Sequence, residues 1–199
     1  MSAVVVDFEP VSHTYTLDGK VVPSVTQVLS LLEDWSLVDP QLLEAARIFG
    51  NHVHDACHLW NIGELDWATL DPALVRPVEQ WAEFIESNDI TIIASELIVA
   101  HKLYGYAGRK DTLVEWDRRR CLIDIKSGAV PKTVGPQTAA YAEAYEYERK
   151  PCVRIARRYC AQLTGEAGKP AKLIRLQNPA DWPVFQSALN CWRFKNGLC

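Results

Sequence analysis

Three acids and one lysine, Glu96, Asp111, Asp124 and Lys126, stand at spacings that two β-hairpins would draw together. From Glu96 to Lys126 apolar or β-branched residues alternate with polar ones in three runs. Turn-compatible residues at 103–105 and 117–119 separate the runs, and the pattern predicts three consecutive antiparallel strands. With the second hairpin folded about Asp117 and Arg118, residues whose numbers sum to 235 face each other, which sets Asp111 opposite Asp124. Residues opposed across an antiparallel pair, and residues two apart on one strand, share a face, so Lys126 joins both carboxylates. The first hairpin, turning near Leu103 and Tyr104, adds Glu96 to that face. Like charges opposed across strands repel, so the cluster calls for a cation besides Lys126, and hard oxygen ligands suit Mg²⁺ or Mn²⁺. A surface row of charges with a single Lys–Asp pair is the other reading this spacing leaves open.

The rest of the chain supplies elements that position this stretch. Residues 3–8 and 12–17 read as short strands, with Asp18-Gly19 as a turn signal before Lys20–Val22. Ser24 and Gln27 form a capping box for a helix with Val25, Val28, Leu29 and Leu32 on one side. Asp39-Pro40 starts a longer helix reaching about Gly63, with Asn51, His54 and His58 along one face. Asp71-Pro72 caps another, with Pro77 early in it and an end near Asn88. A helix from Pro136 to about Glu148 sets Gln137 and Tyr141 one turn apart, and its N-terminus is expected to offer free N–H groups to a phosphate. Residues 153–163 and 171–176 read as a last strand pair, and 181–196 as a closing helix. The fold class expected is α/β (α+β), a central mixed sheet flanked by helices. Residues 1–199 are expected to form one domain, with hairpin and helices in 1–90 and the sheet core in 91–199.

The formal net charge of −4 is divided unevenly: residues 1–99 carry 3 Lys or Arg against 16 Asp or Glu, and residues 100–199 carry 18 against 9. Phosphate binding depends on a local positive face, so the basic half favours a nucleic-acid partner. Arg154, Arg157, Arg158, Lys169, Lys172 and Arg175 crowd the last strand pair, and Arg109 and Lys132 lie near the acidic cluster in sequence; these cations are candidates for tracking a phosphate backbone. The sequence has no apolar run long enough for a membrane span, and its start lacks a basic region followed by an apolar core, so a cytoplasmic protein with no membrane partner is expected. The six cysteines, at 57, 121, 152, 160, 191 and 199, include no C-x-x-C pair and read as thiols.

Taken in order, Gly50-x-x-x-His54, Glu96, Gly108-Arg109-Lys110-Asp111, Asp124-Ile125-Lys126-Ser127-Gly128 and Gln137-x-x-x-Tyr141 resemble the motifs of the PD-(D/E)XK nuclease superfamily. The likeness is greatest to its RecB-like branch, which includes phage exonucleases and the mitochondrial genome maintenance exonuclease. His13-x-Tyr15 and Val22–Thr26 resemble the openings of those small enzymes, so residues 13–145 are covered. Lys110 departs from the family's Pro, and Asp124 takes a slot often filled by Glu.

The resemblance implies a restriction-endonuclease-like core and a metal-dependent exonuclease hydrolysing DNA phosphodiester bonds. It implies action on single-stranded or end-bearing duplex DNA in phage or prophage recombination, replication or repair, in a bacterial or phage-infected cell. A recombination or single-strand-binding protein would be a further partner. By the same resemblance His54, Asp111, Asp124 and the backbone carbonyl of Ile125 would hold one or two Mg²⁺ or Mn²⁺. Glu96 and Lys126 would act in catalysis, Lys126 by electrostatic help first, and Gln137 and Tyr141 would support the site and the strand. Some relatives carry an iron–sulfur cluster on one Cys before the motifs and three close together after them. Cys57 fits the first position, but the later cysteines form two C-x₇-C pairs, so a cluster is not expected. An endonuclease or an iron–sulfur adaptation nuclease of the superfamily, or an idle DNA-binding scaffold on this fold, are the alternatives.

Overall fold

A small antiparallel sheet opens the chain: β1 (Val6–Glu9), β2 (Thr14–Leu17) and β3 (Lys20–Val22). Asp18 and Gly19 turn the second hairpin with positive φ angles of 49° and 77°, as an Asp-Gly pair permits. The structure is a computed structural model that describes residues 6–10, 12–149 and 153–198. Residues 3–5 of the first expected strand lie outside the described residues.

Local signals set the helix starts. Ser24 accepts from the Gln27 N–H and Gln27 accepts from the Ser24 N–H, closing the capping box that opens α1 (Val25–Leu29). A 3-10 turn at Ser30–Leu32 follows. Asp39 caps α2 (Pro40–Asn61) and Asp71 caps α3 (Pro72–Ser87), each followed by Pro at the first helical position. None of these helices, nor any other among the described residues, is long and apolar enough to cross a membrane.

The main sheet has five strands in chain order: β4 (Thr91–His101), β5 (Tyr106–Trp116), β6 (Arg119–Lys126), β7 (Arg157–Gln162) and β8 (Lys172–Leu176). β6 and β7 run parallel and the other neighbours antiparallel, so the sheet is mixed. The parallel step requires a crossover, which α4 (Val134–Arg149) provides. The chain closes with α5 (Asp181–Lys195). β7 is shorter than the alternation suggests, because residues 153–156 approach β6 with Ala156 N–H donating to the Arg120 carbonyl (2.8 Å) before regular pairing begins, and β8 starts one residue later than expected.

The β5–β6 register pairs Thr112 with Ile123 and Leu113 with Leu122, the pairing that a turn at Asp117 and Arg118 demands. Both turn residues have positive φ, 52° and 59°, matching the twist of a two-residue hairpin loop. Side-chain alternation on β6 then feeds two cores. Cys121, Ile123 and Ile125 pack with Val53, Ala56 and Cys57 of α2 and Val78, Trp81 and Ile85 of α3. Leu122 packs on the other side with Val28 of α1, Tyr141 and Tyr145 of α4 and Phe185 of α5. Asp124 and Lys126 fall on the Leu122 side of the alternation.

One residue breaks the apolar pattern inside. Lys110 on β5 is fully buried, its Nζ has no hydrogen-bond partner, and it lies 4.6 Å from the centre of the Tyr145 ring. Burial, with the Arg149 charge adding, pushes its pKa down from 10.5 to about 7. A base whose folded pKa is lowered destabilises the fold fully below that pKa, and the penalty fades as pH rises towards the unfolded value. Lys110→Met fills a similar volume without the amine and is expected to raise Tm by about 5 °C near pH 7. The gain should shrink as pH approaches 10, which thermal melts of wild type and variant across that range will check.

Candidate metal and catalytic site

The acidic cluster lies where the β4–β5 pairing changes its side-chain phase. The ladder passes from Ser95–Thr112 to Leu97–Lys110, and Glu96 between them has φ 53°, a left-handed conformation unusual for a non-glycine strand residue. Ala94 and Leu97, three apart, both pack against the α4 side. The strand has therefore slipped its alternation by one at Glu96, as a locally strained backbone does at many functional sites.

His54 reaches this point from α2, whose Val53, Ala56 and Cys57 are buried on the neighbouring positions. Its Nδ1 lies 3.3 Å from Asp111 Oδ1, while Asp111 Oδ2 accepts from the Ile125 N–H at 2.6 Å. One ligand atom each from His54, Glu96 and Asp111 lies within 4.8 Å of the others, the one such group of His, Cys, Asp or Glu among the described residues. Asp124 is 1% exposed; its Oδ2 lies 2.7 Å from Lys126 Nζ, outside hydrogen-bond geometry, and its Oδ1 has no partner. We take the short Nζ–Oδ2 separation as an ion pair, since Coulomb attraction needs no angular alignment.

Electrostatics separate the roles. Burial pulls the His54 pKa down, but the Asp111 charge and hydrogen bond outweigh it and hold it above the usual value. Burial likewise opposes ionisation of Asp111, and His54, Lys126 and the Ile125 N–H overcome it, keeping that carboxyl below its usual range. Asp124 is pushed up to about 6 by burial, with Asp111 adding and Lys126 opposing. Glu96 is raised to about 7 by burial and Asp111, against the pull of Arg109. Lys126 is raised despite its burial by Asp124 and Asp111, so it is a fixed ammonium. The site thus crowds three carboxyls against His54, Lys126 and Arg109, and two of the three are held above their usual range by burial and by one another. That crowding of carboxyls and the unpartnered Asp124 oxygen are features a hard divalent cation would fit.

The remaining residues singled out in the sequence divide. Gln137 Nε2 lies 3.4 Å from the Tyr141 hydroxyl, and Tyr141 packs so closely on Gly108 that a Cβ there would sit 2.7 Å from its ring. Burial and the nearby Asp124 and Asp111 charges keep the Tyr141 phenol protonated. Arg109 is 41% exposed with Nε 2.6 Å from Glu96 Oε2, so it is tied to the acidic cluster. Lys172 pairs with Gln162, which pairs with Lys126, placing it two strands from the cluster at about 4.8 Å per strand. Lys132 and Arg154 are exposed, Lys132 before α4 and Arg154 at the other end of β7.

Two expectations need correction, and Arg157 has a surface partner. Arg158 is not a surface cation: it donates to the Gly135 carbonyl and pairs with Asp181 at 2.8 Å, which makes it a structural tie. Arg157 lies 3.1 Å from the exposed carboxylate of Asp117, a surface pair. The N-terminus of α4, which begins at Val134, is covered. A Cβ at Gly135 would meet Asp181 Oδ1 at 2.4 Å, and Thr133 Oγ1 is bonded to Glu33 Oε1, so an anion is excluded there by two carboxylates already in place.

Sequence reasoning missed the group that fixes α2 against the cluster. His58 Nδ1 lies 2.9 Å from Ser95 Oγ, Asn61 donates to Ser95 and Thr112 hydroxyls, and Trp81 Nε1 donates to Asn61 Oδ1. Ser95 and Thr112 are the chain neighbours of Glu96 and Asp111. The signal available was the spacing of His54, His58 and Asn61 on one helix face. Cys57, Cys121 and Cys160 are buried and Cys191 exposed, while Cys152 and Cys199 lie outside the described residues.

Comparison with known proteins finds no family model that matches the chain and no match among curated proteins.

A cation at this cluster must compete with the protons on His54, Glu96 and Asp124, whose pKa values all lie above their usual values. The rise in Tm produced by Mn²⁺ is therefore expected to be larger near pH 7.5 than near pH 5.5, and Asp111→Asn should remove most of it. Thermal melts with and without Mn²⁺ at the two pH values test this; an equal gain at both, or one undiminished in the variant, places the ion elsewhere.

Proposed function

We propose that this chain is a metal-dependent DNA exonuclease of the RecB-like branch of the PD-(D/E)XK superfamily, hydrolysing phosphodiester bonds. The observation that carries the reading is the half-buried convergence of His54, Glu96 and Asp111, whose ligand atoms lie within 4.8 Å of one another, beside Asp124 with its unpartnered oxygen and its Lys126 ion pair. Ordered motif resemblance supports it, as does the basic character of residues 100–199.

In this reading His54, Glu96, Asp111 and Asp124 hold one or two Mg²⁺ or Mn²⁺, with the Ile125 carbonyl as a further ligand by resemblance. When bound, such an ion polarises a phosphate and lowers the pKa of a water. The chain's own residues do the rest. His54 and the Ile125 N–H orient the two Asp111 oxygens, so that each points where it is needed. Lys126, held protonated by the carboxylates, stabilises charge developing on the phosphate oxygens; a permanent ammonium is a poor base and a good electrostatic partner. Tyr141 and Gln137 close the α4 side of the site. Arg109 steadies Glu96 through its Nε and remains partly exposed.

Lys126→Ala is expected to lower the cleavage rate of an end-labelled oligonucleotide by about 10²–10³-fold while leaving most of the binding, which comes from phosphate contacts elsewhere. Gel analysis of 5′- and 3′-labelled single- and double-stranded DNA, with Mg²⁺ or Mn²⁺, checks this and reports polarity. A closed circular substrate distinguishes an endonuclease. Wild-type protein that binds DNA yet releases no nucleotide on any strand form with either metal overturns the reading.

A further inference from the structure

The N-terminal hairpin carries an aromatic group whose construction exceeds what the hairpin needs for folding. Tyr15 is buried with Leu17, Ala100 and Ala107, and Phe8 stacks on it with ring centres 4.6 Å apart; together they form the small core that seats the hairpin on β4 and β5. His13 is different. It is exposed, and its backbone is left-handed at φ 48°. Its ring stands edge-to-face against Phe8 at 5.2 Å and against Tyr15 at 5.6 Å, so an exposed imidazole is held in one orientation by two others.

A positive group completes the arrangement. The Arg109 guanidinium lies 5.8 Å from the Phe8 ring centre, and its Nε is bound to Glu96 of the acidic cluster. Burial and the Arg109 charge hold the His13 pKa below its usual value, so the ring is a neutral aromatic surface at physiological pH. Rings and cation are fixed to the body of the protein. The Ala107 N–H donates to the Pro23 carbonyl and Ser24 bridges to Ala107, tying the hairpin's exit to β5 two residues from Arg109.

We infer that His13, backed by Phe8 and flanked by Arg109, is a stacking subsite for an unpaired nucleobase, one nucleotide removed from the phosphate held at the acidic cluster. A flat aromatic surface beside a guanidinium suits a base and its phosphate together, and it accepts any base, because each has a π-face. A base inside a duplex has both faces covered and the last pair of a blunt end frees only the outer one, whereas an unpaired base can turn either face to the ring. The subsite therefore favours a single-stranded end over a duplex one. The inference rests on the nuclease reading for its substrate, but its test requires no cleavage.

The experiment measures binding of short single-stranded DNA to the full chain in EDTA, by anisotropy of a label at the distal end. The oligonucleotide carries either a normal terminal nucleotide or an abasic one, with RNA and blunt duplex as further arms. Wild type is expected to bind the normal end about tenfold more tightly than the abasic end and to prefer single strand to duplex. His13→Gly keeps the left-handed backbone and removes the ring, and should erase that difference; His13→Phe should restore it; His52→Ala, an exposed change on α2, should leave it intact. Quenching of a terminal 2-aminopurine by wild type and not by His13→Gly gives an independent readout. An unchanged abasic penalty in His13→Gly overturns the subsite while leaving the nuclease reading standing. Cleavage absent alongside a His13-dependent penalty overturns the nuclease reading and leaves the subsite, and no binding of any strand form overturns both.

Discussion

Two carboxylates that repel each other, half-buried Asp111 on β5 and buried Asp124 on β6, lie side by side at the end of the β5–β6 ladder, and much of the molecule is arranged around their mutual cost. Each has been given a partial remedy: His54 and the Ile125 N–H for Asp111, Lys126 for Asp124. The remedies are incomplete, because Asp124 retains an unpartnered oxygen and Glu96 brings in a third acid. Burying charge without full compensation costs stability, and in the reading proposed above a bound cation would relieve that cost.

Holding such a site demands stiffness from both layers of helices. On one side α2 is locked to the two central strands through His58, Asn61, Ser95 and Thr112, with Trp81 of α3 securing Asn61, so His54 cannot drift from Asp111. On the other side Tyr141 of α4 lies directly on Gly108, where a side chain would force the helix away. The strained backbone at Glu96 is affordable in this setting because both neighbours along the strand are paired, Ser95 with Thr112 and Leu97 with Lys110.

The basic half of the chain is less of a surface than its composition suggests. Arg158 and Asp181 form an internal tie between β7, α4 and α5, and Arg157 answers Asp117 across the β5–β6 turn. These pairs sit at the end of the sheet where β6 and β7 begin. Lys126, Gln162 and Lys172 lie in a row at the end where those strands finish, the end that carries the acidic cluster. Charge that counts equally in a sum is thus divided by topology into a structural set and a set positioned near the site.

The sequence by itself determined what local rules decide. The β5–β6 register follows from the two-residue turn at Asp117 and Arg118 and from the strict period of two, and helix starts follow from Ser24, Asp39 and Asp71, whose side chains bond N–H groups two or three residues away. The convergence of Asp111, Asp124 and Lys126 in register was legible for that reason. Tertiary structure alone decided the left-handed turn at Glu96, which no strand propensity favours, and the burial of Lys110 over Tyr145, where alternation read only a polar residue. It also decided that Asp181 covers the start of α4 and consumes Arg158. These outcomes depend on which distant segments share one volume, and a pairing between residues far apart in the chain leaves no period or cap in either segment to announce it.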